Sequence, residues 1–238
     1  MSNSPLVNVT LISPNKNSPR NHAIDTITIH CFVGQVTAKR GCEVFLPTSK
    51  EASCNYVVGY DGQIGLCVDE ADRSWCTSNA PNDQRAITIE VASDTTEPYA
   101  VTPDAYKALI KLVADICKRN GIKQLVWSTD KNTRVNHLNG CNMTVHRDYA
   151  NKSCPGAYLY ERMGMIASEV NDLLKDETAE GKEMYDKIVK YLNSQPLPEW
   201  AKKEYQEAIE MGITDGSSPM TPVPRYQAAI MAKRAAQK

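Results

Sequence analysis

The chain has 238 residues, of which 42% are hydrophobic and 23% are charged, and its formal net charge is -1. This composition is ordinary for a soluble globular protein, and the charge argues against a nucleic-acid binder that works by neutralising phosphates. No apolar run approaches the roughly 18 consecutive residues of a membrane span, so we expect no membrane insertion.

Strands are predicted in the first half of the chain. Residues 25–32, DTITIHCF, form a β-branched run, and residues 86–92, AITIEVA, form another that is apolar except for one carboxylate. Between them, the run CNYVVGY at 54–60 ends in Asp61-Gly62, a strong hairpin turn signal, and GQIGLCV follows as the returning strand.

Two amphipathic helices are predicted further along. Apolar residues recur at helical spacing in 103–119, where Thr102 is the candidate N-cap and Gly121 ends the helix. Residues 157–174 show a similar pattern, and they follow the strand-like run CNMTV at 141–145. Strands interleaved with helices in this order predict an α/β domain with a mixed central β-sheet flanked by helices.

The C-terminal part has a different composition. The charged segment KDETAEGKE at 175–183 is predicted to be a domain boundary or the start of a solvated helix. Residues 184–192 predict a short helix, and residues 200–237 predict a helix, a turn and a second helix. About 60 residues are marginal for an independent core, so we expect this small all-helical segment to dock or to self-associate. The predicted domains are residues 1–175 and 176–238.

Eight cysteines are more than average for this length, but no CxxC pair occurs. The commonest zinc-ribbon and thioredoxin patterns are therefore excluded. Four cysteines in apolar or strand-like settings are predicted to be buried small hydrophobic residues: Cys31, Cys42, Cys67 and Cys117. Cys54, Cys76 and Cys141 have no clear assignment.

The segment HRDYANKSCPG at 146–156 raises the question of a metal site. His30 and His146 each end a strand, whereas His22 and His137 lie in polar loops typical of surface histidines. A catalytic zinc takes three ligands from His, Cys or carboxylate and leaves a fourth position for water. His30, His146 and Cys154 are therefore either a His₂Cys zinc site or three unrelated residues, and spacing alone leaves both open.

Lys152 and Glu90 have side chains suited to amide hydrolysis. Lys152 is either an ordinary surface lysine or a cation beside the metal, where it stabilises the oxyanion formed when water attacks an amide. Glu90 lies either at a solvated edge or in a functional position, because unpaired burial of a carboxylate is costly. If Glu90 faces the site, burial raises its pKa and suits it to accept a proton from the attacking water.

Four ordered motifs resemble those of the type 2 N-acetylmuramoyl-L-alanine amidases. They are ITIH at 27–30, CNYVVGYDGQI at 54–64, NDQRAITIEVA at 82–92 and TVHRDYANKSCPG at 144–156. This family includes amidase-type phage lysozymes and is akin to peptidoglycan recognition proteins. The resemblance covers approximately residues 8–174. It implies a mixed β-sheet flanked by helices, with a zinc ion (Zn²⁺) at the floor of a groove.

The resemblance also implies site residues. The family's zinc ligands carry over to His30, His146 and Cys154, its strand glutamate to Glu90 and its lysine two positions before the cysteine to Lys152. Glu90 is then the general base, and Lys152 shares the developing negative charge with the metal.

The chain departs from the family before the Asp-Gly turn. Some members have a tyrosine where this chain has Cys54, so the base role stays with Glu90 and Tyr56 is assigned to core packing. Trp75, in RSWCTSNA, matches a groove-lining region of similar enzymes, or else it is a core tryptophan. Trp75 and Asn55 are assigned to substrate binding.

The C-terminal segment resembles a shortened S-layer-homology module, which occurs at the ends of clostridial phage and prophage lysins. This resemblance implies envelope attachment or self-association as a homo-oligomer. The alternative is a helical tail that caps the catalytic domain.

These observations together predict an endolysin that hydrolyses the N-acetylmuramoyl-L-alanine amide bond of peptidoglycan. Because the N-terminus lacks a signal peptide, we expect synthesis in the cytoplasm and action on the wall after release. One rival is a cytoplasmic amidase that recycles soluble muropeptides. The other is a non-catalytic peptidoglycan-binding protein on the same fold.

Overall fold

The computed structural model describes residues 2–175 and 177–214. The residues up to Leu174 belong to one compact unit, and those from Lys175 onward belong to a second. The second helix predicted within residues 200–237 lies outside the described residues, as does much of the segment that resembles an S-layer-homology module.

A mixed β-sheet forms the centre of the first unit. Its strands are, in spatial order, β1 (Val9–Thr10), β5 (Ile64–Leu66), β4 (Tyr56–Val58), β7 (Ala86–Val91), β3 (Thr26–Cys31) and β8 (Met143–Val145). Neighbouring strands are parallel except β4 and β5, which form the predicted antiparallel hairpin. Two further strands, β2 (Lys16–Asn17) and β6 (Arg73–Ser74), pair in a separate ribbon. The predicted fold class is confirmed.

Alternation along β3 and β7 places apolar residues on one face of the sheet and mainly polar residues on the other. In β3, Ile27 and Ile29 belong to the main hydrophobic core, so the intervening Thr28 and His30 point to the opposite face. The strand β7 repeats this alternation. Glu90 therefore shares a face with His30, because the two residues are register partners on adjacent parallel strands.

Helices cover both faces of the sheet. On the apolar side, α3 (Pro103–Arg119) packs against α5 (Gly156–Leu174), and both contribute to the main core. The predicted cap of α3 is confirmed, because the Thr102 side chain accepts a hydrogen bond from the backbone N–H of Ala105. On the other side, α1 (Ala38–Val44) packs on β4 and β5.

Short helical segments connect these elements. They are α2 (Ala80–Arg85), α4 (Lys131–Val135) and the single 3₁₀ turns Thr48–Lys50, Leu138–Gly140 and His146–Asp148. The last of these turns directly follows β8 and begins with a candidate zinc ligand.

Tyr56 packs in the core, as predicted. Its hydroxyl donates to Glu70 Oε1 at 2.6 Å and accepts from the backbone N–H of Ser4 at 2.9 Å. Tyr56 belongs to the main core, on the sheet face opposite His30, so it takes no part in the candidate site. The four cysteines predicted to be buried are all buried.

The described part of the second unit is helical. It contains α6 (Glu177–Asn193) and α7 (Glu199–Glu210), so the charged segment 175–183 includes a helix start. Met184, Ile188 and Tyr191 recur at helical spacing along α6 and are all exposed. Within the described ranges of the whole chain, no helix is both long enough and apolar enough to cross a bilayer.

Candidate active site

Three adjacent parallel strands bring distant residues to one edge of the sheet. His30 and Glu90 each lie one residue before the end of β3 and β7, and His146 directly follows β8. The carboxyl ends of parallel strands meet at one edge, where ligand sites of α/β proteins commonly form. Cys154 reaches this edge from the loop that precedes α5.

The structure brings His30, His146 and Cys154 together, with one donor atom of each within 4.8 Å of the others. The distance from His30 Nδ1 to Cys154 Sγ is 3.4 Å, and the two imidazole centroids are 5.1 Å apart. A tetrahedral zinc with Zn–S of about 2.3 Å and Zn–N of about 2.0 Å separates its sulfur and nitrogen ligands by about 3.5 Å. The His30–Cys154 spacing therefore suits zinc.

The protonation states of the two histidines also suit a cation. Burial, and then the nearby His146, lower the pKa of His30 to about 3. Burial, and then the positive charge of Lys152, lower the pKa of His146. Both imidazoles are thus neutral, as metal ligands must be. His146 Nε2 is buried and has no hydrogen-bond partner among the described residues, and a cation would satisfy it.

Cys154 is protonated without a metal ion. Its contact with the Cys31 side chain, and then burial, raise the pKa of the Cys154 thiol well above its usual value. Metal ions bind the thiolate, so zinc binding at this cluster would release the thiol proton. With that exchange, the donor set of two neutral imidazoles and one thiolate fits a catalytic zinc site.

Glu90 lies beside the cluster. Its Oε1 atom is 3.9 Å from His30 Nδ1, and its side chain is 15% exposed. Burial, and then the nearby Cys31, raise the pKa of Glu90 well above its usual value. Its Oε2 atom has no hydrogen-bond partner within the described part of the chain. A carboxylate with this position and a raised pKa has the chemistry of a proton acceptor.

Two adjoining cavities, of about 420 and 450 Å³, open beside the cluster. Their shared walls are formed by Ala52, Trp75, Cys76, His146 and Lys152. Glu90 lines the first cavity. The predicted residues Trp75 and Lys152 therefore lie where a substrate bound to the cluster would pass.

Asn55 does not line either cavity, and we withdraw it from the substrate-binding residues. It is fully buried. Its side-chain N–H groups donate to the backbone oxygens of Val68 at 3.2 Å and Asp69 at 3.3 Å, and its side-chain oxygen accepts from the backbone N–H of Thr88 at 3.1 Å. These bonds tie β7 to the segment that follows β5, so the role of Asn55 is structural.

Two residues of the site were not assigned from the sequence. Cys76 lies 3.4 Å from His30 Nε2 and lines both cavities. Lys50 lines the first cavity, and its positive charge opposes the rise in the pKa of Glu90. For Cys76, the sequence offered one signal, its position next to Trp75. Nothing in the sequence distinguishes Lys50 from other lysines.

A buried ion pair fixes the turn that carries His146. The Asp148 carboxylate accepts from Arg134 at 2.9 and 2.5 Å and from the backbone N–H of Val145 at 3.1 Å. The Arg134 guanidinium is also stacked over the ring of Trp127. This pair holds the end of β8 and the following turn in one geometry.

Arg134→Ala is expected to lower the free energy of unfolding by about 3–5 kcal/mol, because it leaves the Asp148 carboxylate buried without its counter-charge. Denaturant unfolding measures the loss. Arg85→Ala is the matched control, since Arg85 makes the same two-bond contact with Asp25 but both side chains are about one-third exposed. We expect a loss below about 1 kcal/mol there. Equal losses in the two variants would contradict the role given to the buried pair.

Solved structures with this fold include three whose own chains are matched over nearly their whole length. A mutant of PlyL is 17% identical, with a TM-score of 0.52, and the match covers 69% of this chain and 97% of that one. A mutant endolysin from Bacillus subtilis and the catalytic domain of XlyA are each 16% identical, with TM-scores of 0.50, and each match covers 69% of this chain and 99% of theirs. At these identities the likeness establishes the fold alone. No curated protein sequence matches the chain.

The family comparison goes further than the fold. The sequence profile described as N-acetylmuramoyl-L-alanine amidase matches residues 20–157, which is more than half of the chain. The matched span includes His30, Glu90, His146 and Cys154. The chain therefore belongs to the N-acetylmuramoyl-L-alanine amidase family.

Proposed function

We propose that this protein is a zinc-dependent hydrolase of the amide bond that joins N-acetylmuramic acid to L-alanine in peptidoglycan. The observation that carries the proposal is the convergence of His30, His146 and Cys154 beside Glu90, inside the span that matches the family. These three residues would hold a zinc ion, which would supply Lewis acidity to polarise a carbonyl group and acidify water.

The other residues of the site then have separate tasks. Glu90 accepts the proton of the attacking water and returns it to the leaving amine of L-alanine. Lys152 places a positive charge on the cavity wall, where negative charge develops on the carbonyl oxygen. Trp75 offers an apolar wall to the substrate, and its indole N–H is held by a 2.7 Å hydrogen bond to Asn17 Oδ1.

Lys152→Ala is expected to lower kcat by about 10²-fold with zinc content unchanged, because it removes a charge that acts on the oxyanion. Steady-state assays and metal analysis measure the two quantities. Lys118→Ala, which removes an exposed lysine of α3, is the control and should leave kcat unchanged. A wild-type kcat in the Lys152 variant would show that Lys152 is an ordinary surface lysine without a role in catalysis.

Product analysis tests the bond that is cut. Digestion of purified peptidoglycan should produce new L-alanine amino termini without new reducing sugars. Binding to peptidoglycan without any product would favour the non-catalytic alternative. Cleavage of soluble muropeptides with intact peptidoglycan left untouched would favour the recycling amidase.

We further propose that the substrate is the intact cell wall and that the protein acts as an endolysin after its release from the cytoplasm. The exposed apolar side chains along α6 and the 79% exposed Trp200 of the second unit support a tail that contacts something other than solvent. The contact we propose is with the wall or with a second copy of the chain.

Deletion of residues 176–238 is therefore expected to weaken cosedimentation with insoluble peptidoglycan or to reduce the oligomeric size. Light scattering measures the second quantity. Hydrolysis of a small soluble muropeptide by residues 1–175 should be unchanged, which serves as the internal control. If neither wall binding nor size changes, the tail is only a structural cap.

A further inference from the structure

His30 presents its two ring nitrogens to two different thiols. Nδ1 lies 3.4 Å from Cys154 Sγ, and Nε2 lies 3.4 Å from Cys76 Sγ. The His30 side chain is fully buried, so water does not satisfy either nitrogen. A neutral imidazole has one N–H and one free lone pair. One nitrogen of His30 can therefore bind a metal ion, while the other must donate a hydrogen bond.

Two possible donor sets share this ring. The first combines His30 with His146 and Cys154, and the second combines His30 with Cys76 and Glu90. His30 could bind a metal ion in both sets at the same time only if its ring lost the remaining N–H proton. The buried His146 Nε2, which has no partner in the described part of the chain, favours the first set as the metal site. Cys76 then faces the N–H of His30.

Cys76 is itself held in place from α2. Its backbone N–H donates to Asp83 Oδ2 at 3.0 Å. The buried Asp83 also accepts from the Thr77 hydroxyl at 2.6 Å, which fixes the loop on both sides of the Cys76–Thr77 peptide. On its far side, Cys76 Sγ lies 3.9 Å from Glu90 Oε1. The thiol thus lies between a candidate ligand and the candidate base.

We propose that Cys76 is a positioning residue of this active site. Its sulfur accepts the Nε2–H of His30, which fixes the tautomer that leaves Nδ1 free for the metal, and its S–H donates to Glu90. Ligand histidines usually donate their second N–H to a carboxylate or a carbonyl, and here a thiol takes that place. The inference rests on the proposed function, because it assumes that His30 is a metal ligand.

The test measures zinc affinity of the full chain by competition with a chromophoric chelator. Cys76→Ala is expected to weaken zinc binding by about 10–100-fold, the usual effect of removing such a partner. Cys76→Ser should recover most of the zinc affinity, because a hydroxyl group also accepts and donates hydrogen bonds. We expect kcat to be highest in the wild type, lower in Cys76→Ser and lowest in Cys76→Ala. Cys117→Ala, a cysteine-to-alanine change in the core helix α3, should leave zinc affinity unchanged.

Cobalt substitution separates positioning from ligation. The thiolate-to-cobalt absorption per bound ion should be the same in Cys76→Ala as in the wild type, because Cys154 remains the sulfur ligand. Loss of part of this absorption in Cys76→Ala would make Cys76 a ligand and overturn the proposal. Wild-type zinc affinity in Cys76→Ala, or a serine variant as weak as the alanine variant, would also overturn it. A wild-type chain that binds no zinc would instead overturn the proposed function.

Discussion

Replacing His30 by alanine is expected to abolish zinc binding and amide hydrolysis together. The side chain is fully buried at the strand end, and its Nδ1 lies 3.4 Å from Cys154 Sγ, so no other described group occupies its place in the donor set. Two remaining ligands do not make a catalytic zinc site, which takes three from the protein. His146→Ala and Cys154→Ala should give the same paired loss.

Metal analysis after dialysis and a turbidity assay on purified cell walls measure this pair of effects. His22→Ala is the matched control, because the His22 side chain is 44% exposed and belongs to neither donor set. It should keep both zinc and activity. A His30, His146 or Cys154 variant that retains stoichiometric zinc is not missing a ligand, and that assignment would have to be abandoned.

Glu90→Gln is expected to lower kcat by about 10²–10⁴-fold while zinc binding stays intact, because the amide keeps the shape of the side chain but cannot accept a proton. The carboxylate lies 3.9 Å from His30 Nδ1 but is not in the donor set with His146 and Cys154, so its loss spares the metal site. Steady-state kinetics of the zinc-loaded variant give the size of the effect.

Glu43→Gln provides the control for this substitution, since Glu43 lies on α1 and pairs with Arg40 on the surface. It should leave kcat within about twofold of the wild type, as surface changes usually do. A fully active Glu90→Gln variant would show that another group accepts the proton. A Glu90 variant without zinc would make the carboxylate a ligand.

The strands of the site were predictable because their sequences are locally consistent. The β-branched runs that became β3 and β7 place apolar residues on one face and carry His30 and Glu90, each one residue before the strand ends, on the other. The helix α3 was equally clear, from its amphipathic period and from Thr102 as its cap. What period and caps could not decide was which strands are neighbours. The resemblance to the amidase family implied instead that His30, Glu90, His146 and Cys154 belong to one site, without giving the strand order.

Residues outside regular elements were harder to interpret. Asn55 lies next to the strand β4, yet its side chain is turned into the sheet and bonded to Thr88 and the chain after β5. Cys76 contacts His30 from a loop that is held by Asp83, seven residues away. Neither contact is visible in a local pattern, since each depends on how distant segments meet in the fold.

The most direct test of the central claim is the yield of new L-alanine amino termini from purified peptidoglycan, before and after zinc is removed by a chelator. The account predicts that the chelated protein releases none, that added zinc restores the wild-type yield, and that reducing sugars do not increase in any sample. Full release of L-alanine amino termini by a chain shown to be free of metal would contradict a zinc-dependent amidase.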